Sequence, residues 1–301
     1  MVNGRTLRQV LDAHAAWLEQ RPNGVRADLS GATLSGLELT GVNLRRATMR
    51  ATTLAGTDLG GADLSEAVLE DADLRGSILE RTDLSAAVLG GARFDGADLR
   101  EANLSECNLD KVTFRGTRLI KARFLEARIT ACIFQEVEAQ GASFHQAHIS
   151  ESDFSKANLE NALFYHARLQ LVRFVSAAAA EVNFSSAKVL NCEFRAAELT
   201  SAKFYQADVR GSSFGHTSLS WADFRGASLS GADFCQATLC SARFGDAKLF
   251  AADLREANLQ GARELTADQL SQARTSAGTT LPSGKRGVYL KGSGTERTGM
   301  R

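Results

Sequence analysis

Large apolar residues recur at every fifth position of this chain, from Leu29 to Leu259, without an insertion or a deletion. Ala27-Asp28-Leu29-Ser30-Gly31 states the phrase, and Ala62-Asp63-Leu64-Ser65-Glu66, Ala157-Asn158-Leu159-Glu160-Asn161 and Ala257-Asn258-Leu259-Gln260-Gly261 restate it. Of the 47 phrase centres, 45 are Leu, Phe, Ile, Val or Met, with Ala139 and Ala179 as the exceptions. The position two before each centre is Ala in 30 cases and otherwise Ser, Thr, Cys or Val, except at Leu37. An internal period this strict predicts a repeat architecture.

Side chains of an extended segment alternate sides, so the centre and the small residue two before it face one way and the residue between them faces the other. The remaining two residues must turn the chain, and glycines such as Gly31, Gly36, Gly61, Gly76 and Gly96 suit that corner. A helix is excluded, because a period of five marches around 3.6 residues per turn and gathers no single apolar face. Stacked coils would pair their backbones at roughly 4.8 Å. From Phe114 to Phe244 every second centre is Phe, with aliphatic or small centres between. Four sides per turn would therefore set Phe on two opposite walls, ring upon ring in successive coils.

On these residues the chain resembles the pentapeptide-repeat family, whose phrase is a small residue, Asp or Asn, Leu or Phe, then two polar residues. The resemblance covers about 235 of the 301 residues. It implies an all-β fold, a right-handed quadrilateral β-helix with four phrases per turn. That gives nearly twelve coils and a solenoid about 56 Å long at one strand spacing per coil. We expect short α-helical caps at both ends. The expected organisation is an N-terminal helical cap over 1–25, the β-helix over 26–262, a C-terminal helical cap over 263–282 and a disordered basic tail over 283–301.

Charge adds little on its own: 35 basic residues balance 35 acidic ones. No global attraction to nucleic acid or anionic membrane follows, and direct nucleic-acid binding is not expected. The sequence has no long apolar run and no N-terminal apolar signal core, so no membrane span and a cytoplasmic location are expected. Cys107, Cys132 and Cys192 occupy the small inward position, while Cys235 and Cys240 follow their centres and point outward. Neither a disulfide framework nor a metal site follows from that spacing, and no cofactor is expected.

The flanks read as helices. Leu7, Val10, Leu11, Trp17 and Leu18 form an apolar stripe with His14 on the same face, and Thr6 with Gln9 fits a capping box. The expected role is a lid over the exposed edge of the first coil, with a partner-binding helix as the alternative. Thr266 and Gln269 repeat the capping box, with Leu270 and Ala273 as an apolar side. Residues 283–301 carry five Lys or Arg and one Glu, broken only by the apolar Val288, Tyr289 and Leu290.

Two surfaces are candidates for function. Residues 51–110 hold thirteen Asp or Glu against four Arg. Asp63 and Asp83 lie twenty apart and fall on one wall, as do the pairs Glu66 with Glu106 and Glu70 with Asp110, two coils apart. The plain reading is a solvated charged surface; the sharper one is an electronegative face that imitates DNA. The second candidate is an outward column of Leu125, His145, Tyr165 and Tyr205, with Leu163 and His166 on the same wall. Exposed aromatic and apolar residues of this kind mark protein-binding patches.

No nucleophile–base pair or phosphate-binding glycine motif stands out, so an enzyme is not expected. The reading is a non-enzymatic protein-binding scaffold with an unknown protein partner. The resemblance also implies, as an alternative, a DNA-mimicking protein that binds or protects a type II topoisomerase such as DNA gyrase or topoisomerase IV. A secretion-associated effector or accessory protein has family precedent but no supporting motif here. A homodimer, joined through the C-terminal segment, is left open by the sequence.

Overall fold

The computed structural model describes residues 4–297. Residues 1–3 of the expected N-terminal cap and 298–301 of the expected tail lie outside the described residues. The chain forms two compact units, Met1–Ser143 and Phe144–Arg301. Each is a parallel β-solenoid in which a phrase pairs with the phrase twenty residues later. In the first unit Asp28 bridges Thr48 and Asn43 bridges Asp63; in the second Leu163 bridges Asn183 and Asp233 bridges Asp253. A twenty-residue turn holds four phrases, which gives the four-sided coil that the Phe alternation predicts.

The pairing is repetitive at the level of single atoms. The amide of Leu29 donates to Thr48 O at 2.8 Å, Thr48 N to Ala27 O at 3.0 Å, and Gly31 N to Arg50 O at 2.8 Å. Most rungs are too short to form more than an isolated bridge. In each unit one wall extends to three-residue strands: β1 (Asn108–Asp110) and β2 (Arg128–Thr130) in the first, and β3 (His148–Ser150), β4 (Arg168–Gln170) and β5 (Lys188–Leu190) in the second. Within each unit these are parallel and in register, as in His148 with Arg168 and Arg168 with Lys188. The ladder continues at the small centre Ala179, whose amide reaches Glu198 O at 2.8 Å.

At most corners a tight turn is closed by the amide three residues after the centre, as in Ala32 N to Leu29 O at 3.0 Å. Its third residue is left-handed whether or not it is glycine: φ is 66° at Gly31, 59° at Glu66, 56° at Leu171 and 64° at Trp221. A non-glycine residue there costs about 1–2 kcal/mol. The ladder bonds on both sides of the corner outweigh that cost, so glycine is useful but not required.

Asp and Asn before the centre have a local structural task. Asp63 Oδ1 accepts from Ser65 N at 2.9 Å, and Asn183 Oδ1 accepts from Ser185 N at 2.9 Å, bracing the entry to the corner. Hydroxyls at the small inward position are also satisfied. Thr52 Oγ1 donates to Leu29 O at 2.8 Å, and Ser212 Oγ to Val189 O at 2.7 Å, each reaching the preceding coil. Cys107 Sγ follows the same route to Leu84 O at 2.9 Å. Burial pushes the thiols of Cys107, Cys132 and Cys192 up to about 12, which keeps them protonated and unreactive.

The core consists of the centres and the small residues beside them. Phenylalanines stack along each wall, with centroids 4.7 Å apart for Phe144 and Phe164 and 4.6 Å for Phe114 and Phe134. Rings from the two Phe walls meet edge to face across the interior, at 6.2 Å for Phe114 and Phe124 and 5.9 Å for Phe164 and Phe174. Opposite walls thus share one packed core and leave no channel for a ligand there.

Helix α1 (Leu7–Leu18) carries the expected capping box and buries Val10 and His14. Its histidine does more than pack: His14 Nδ1 accepts from Ala27 N at 3.1 Å, an edge donor of the first coil with no earlier coil to pair with. Desolvation by burial lowers the pKa of His14. The neutral ring is therefore the folded form, and between the folded pKa and the unfolded value near 6.5 the unfolded chain binds the extra proton. Stability from this contact is full above pH 6.5 and falls as the pH drops below it. Hydrogen exchange of the α1 amides is expected to accelerate between pH 6.5 and 5 relative to coil amides such as Leu64. Equal pH dependence in both places would remove His14 from that role.

At the other end, α2 (Ala267–Gln272) also has its capping box. Gln269 Nε2 in addition donates to Phe244 O at 2.7 Å and Ala247 O at 2.9 Å. Past α2 the chain resumes the ladder, with Asp253 bridging Arg274 and Asn258 bridging Thr280. Of the expected tail, the structure describes residues 283–297. Tyr289 is buried, its amide donates to Thr275 Oγ1 at 2.9 Å, and Lys291 pairs with Asp268 at 2.9 Å. One aromatic anchor and one ion pair hold a segment whose composition alone reads as unstructured.

Candidate protein-binding surface

The acidic candidates lie in the first unit, and three of the six, Glu66, Glu70 and Asp110, stand beside a cation. Glu66 accepts from Arg45 at 2.6 Å and Arg46 at 2.7 Å, which holds its carboxyl below the usual range, the Arg46 bond contributing most. Glu70 pairs with Arg50. Asp110 lies 3.7 Å from Lys111. Asp63 and Asp83 do fall in one column, between Asn43 and Asn103, and Asn103 Nδ2 donates to Asp83 Oδ1 at 2.9 Å. Glu106 sits at a left-handed corner, φ 60°, in the register of Glu66. The coil neighbours Arg45, Arg46 and Arg50, which stand just before the stretch 51–110, reduce its acidic excess without removing it.

A second neutralising device runs through both units. An arginine two residues after an aspartate turns back over the centre and grips the same carboxylate. Arg75 reaches Asp73 at 2.6 Å, Arg225 reaches Asp223 at 2.6 Å, and Arg255 reaches Asp253 at 2.5 Å. The Arg75 hydrogen bonds are the main reason that the Asp73 carboxyl titrates below its ordinary value.

The aromatic candidates fall in the second unit, apart from Leu125, which is a half-exposed residue of the first. His145 and Tyr165 stack in adjacent coils, with centroids 5.4 Å apart and planes within 10°. His166 leans on Tyr165 at 4.0 Å, and His145 meets His166 edge on at 6.1 Å. Leu163 and Tyr165 are exposed at 42% and 39%, so these rings sit on the outside of the wall. Tyr205 lies two coils on, is 42% exposed, and carries the Arg225 guanidinium 5.6 Å from its ring centroid. Ser185 occupies the rung between Tyr165 and Tyr205.

Beside this column runs a basic one that the sequence reading did not single out. Register places His148, Arg168 and Lys188 side by side on β3, β4 and β5. Arg168 Nη1 lies 2.8 Å from His148 Nε2. The signal was available: the stretches 144–150, 163–170 and 183–190 contain no Asp or Glu, and a comparison at a spacing of twenty brings them together. Also unanticipated were the exposed corner residue Trp221, with Arg263 5.4 Å from its ring, and the exposed Phe250. Among the described residues no group of three His, Cys, Asp or Glu could hold a metal ion, and no helix is long and apolar enough to cross a membrane.

Residues 75–144 and 147–224 match the family described as pentapeptide repeat region, and residues 27–65 and 217–255 match pentapeptide repeats in eight copies. No curated protein matches the sequence. Among solved structures, HetL, a pentapeptide repeat protein involved in heterocyst differentiation regulation from the cyanobacterium Nostoc sp. strain PCC 7120, is 21% identical. That alignment covers 94% of this chain and 99% of HetL, with a TM-score of 0.41. QnrB1, a plasmid-mediated fluoroquinolone resistance protein, is 16% identical over 67% of this chain and 84% of its own, with a TM-score of 0.31. A pentapeptide repeat protein of the Arabidopsis thaliana thylakoid lumen is 27% identical over 38% of this chain and 70% of its own, with a TM-score of 0.16.

Proposed function

We propose that this chain, which belongs to the pentapeptide-repeat family, is a protein-binding scaffold that performs no chemistry of its own. The observation that carries this reading is the exposed ring column of the second unit, His145 stacked on Tyr165 with His166 against it and Tyr205 further along. The backbone under each ring is fixed by ladder bonds, as in Gln146 N to Tyr165 O at 3.1 Å and Ser186 N to Tyr205 O at 2.8 Å. Rings presented on a rigid frame bury area in a complex with little ordering cost. Leu163 adds an exposed apolar edge to the same wall. The absence of enzymatic activity belongs to the proposal and is supported by a core filled with Leu, Phe and Ala.

The test is affinity capture of the full chain from its native host with mass spectrometry, comparing wild type with a Tyr165→Ala/Tyr205→Ala variant. A reproducible protein partner lost in the variant is the expected result. Partners captured equally by both proteins would dismiss the column. A second reading, a DNA mimic acting on a type II topoisomerase, draws support from the Asp63–Asp83 column and is weakened by the arginines on Glu66 and Glu70. Gyrase or topoisomerase IV subunits retained by the variant would favour that second reading.

A further inference from the structure

We propose that the surface of His145, His148, Tyr165, His166, Arg168 and Lys188 receives a short acidic segment of a partner protein, a planar side chain of which fills the rung at Ser185. This rests on the scaffold reading and specifies the chemistry of its partner.

The first argument is charge. Many arginines elsewhere on the chain close on carboxylates, within a phrase as in Arg210 with Asp208 or between coils as in Arg173 with Glu193. Here three successive coils, over 144–150, 163–170 and 183–190, supply three histidines, Arg168 and Lys188 and no carboxylate. Arg168 lies against His148 Nε2 at 2.8 Å, a contact that requires the neutral, accepting form of that nitrogen. A carboxylate is the stronger partner for a guanidinium because it offers two parallel charge-assisted bonds. Lys188 follows Arg168 in register, and the next residue of that column, Asp208, is already held by Arg210 at 2.7 Å. The two cations therefore stand beside the rings on stretches that carry no Asp or Glu, and the nearest carboxylate in their column, Asp208, is shared between Lys188 and Arg210.

The second argument is the interrupted stack. His145 and Tyr165 are consecutive rungs, and Tyr205 with the Arg225 guanidinium continues the planar column. Ser185 stands between them, since His166 N pairs with Ser185 O at 3.2 Å and Ser186 N with Tyr205 O at 2.8 Å. Tyr165 and Tyr205 are thus two coil spacings apart, roughly 10 Å. A planar group midway would lie about 5 Å from each ring, a normal stacking distance. The interior supplies the same spacing, 4.7 Å for Phe144 with Phe164 and 4.8 Å for Phe164 with Phe184.

The third argument selects protein over nucleic acid. The carboxylate-free area is three coils deep, and Glu151, Glu160, Glu181 and Glu193 stand at corners and on a wall around it. A polyanion needs a basic track that continues from phosphate to phosphate, and these glutamates would repel it at each exit. A peptide with two or three carboxylates and one ring fits within the rim, where Leu163 offers apolar contact.

Fluorescence anisotropy on the full chain tests this with four labelled probes: the peptides Glu-Asp-Phe-Asp-Glu, Gln-Asn-Phe-Asn-Gln and Glu-Asp-Ala-Asp-Glu, and a twenty-nucleotide oligo-dT. The acidic aromatic peptide is expected to bind at least tenfold more tightly than either altered peptide. Arg168→Glu/Lys188→Glu should lower its affinity at least tenfold. Ser185→Tyr should erase the advantage of Phe over Ala while leaving the circular dichroism spectrum and Tm unchanged. Equal binding of the three peptides, or affinity unaffected by the charge reversal, overturns the proposal. Tighter, Arg168-dependent binding of oligo-dT assigns the surface to nucleic acid and overturns it too. A captured host partner that needs Tyr165 and Tyr205 but tolerates the charge reversal would leave the scaffold standing and refute only the acidic segment.

Discussion

Phe164→Ala is expected to destabilise the chain by about 3–5 kcal/mol, the cost of emptying a fully enclosed aromatic site. Phe164 is wholly buried. It stacks on Phe144 at 4.7 Å and Phe184 at 4.8 Å, and meets Phe154 at 6.1 Å and Phe174 at 5.9 Å edge to face. Four rings lose a partner at once. The site cannot collapse to fill the void, because the flanking backbone is held by the amide of Phe164 on Asn183 O at 2.8 Å and that of Ala167 on Phe164 O at 3.0 Å. Urea unfolding followed by circular dichroism measures the loss. Phe250→Ala is the control, since Phe250 is 67% exposed and the one phenylalanine outside the centres. A loss at Phe164 within 1 kcal/mol of that at Phe250 would show that the stacked rings add little to stability.

The mutation matters beyond stability, because Tyr165 is the next residue. The same phrase that seals the core with Phe164 aims Tyr165 at solvent, and its Leu163 bridges Asn183 in the next coil. Inward and outward positions alternate so tightly that the surface ring column inherits its spacing from the phenylalanine column behind it. A scaffold made this way needs no preformed pocket. It displays a side chain every coil at a spacing set by backbone hydrogen bonds.

Much of this was legible in the sequence because one five-residue rule governs fold and burial together. The centres, the small inward residues, the two Phe walls and both capping boxes follow from local identity and spacing. What was not legible depends on partners that sit twenty residues away or within the turn. The arginine grip on Asp73 and Asp223 comes from a side chain two residues on in the same phrase, a pairing that the apolar period does not mark. Arg45 and Arg46 on Glu66 require the coil register to be applied to charges as well as to apolar residues. His14 shares the apolar face of its helix in the sequence, yet it caps the Ala27 amide because the first coil has no predecessor. The tail was read from composition, and composition does not show that Tyr289 finds a buried seat beside Thr275.

The first coil gives the second large effect. Gly24→Ala is expected to cost about 1–3 kcal/mol and to drive association of the chain. A Cβ at Gly24 would stand 2.5 Å from Trp17 Cα and 2.7 Å from Ala16 C, and closer still to Trp17 N. These are backbone atoms of α1 and cannot rotate aside. The chain reverses immediately after the helix, with Arg21 N on Ala16 O at 2.8 Å and Val25 N on Ala13 O at 2.9 Å, so the loop has no slack to absorb the methyl group. The helix must shift, and the His14 contact to Ala27 N shifts with it. The first coil then exposes Leu29 and unpaired amides, an edge that can pair with another chain. Gly215→Ala is the matched control: its Cβ would meet nothing nearer than 3.7 Å. That substitution should leave stability unchanged or raise it by up to about 1 kcal/mol through a less flexible unfolded chain. Thermal unfolding with light scattering separates the two effects. A Gly24→Ala protein that melts at the wild-type temperature and stays monodisperse would mean that α1 does not shield the coil edge.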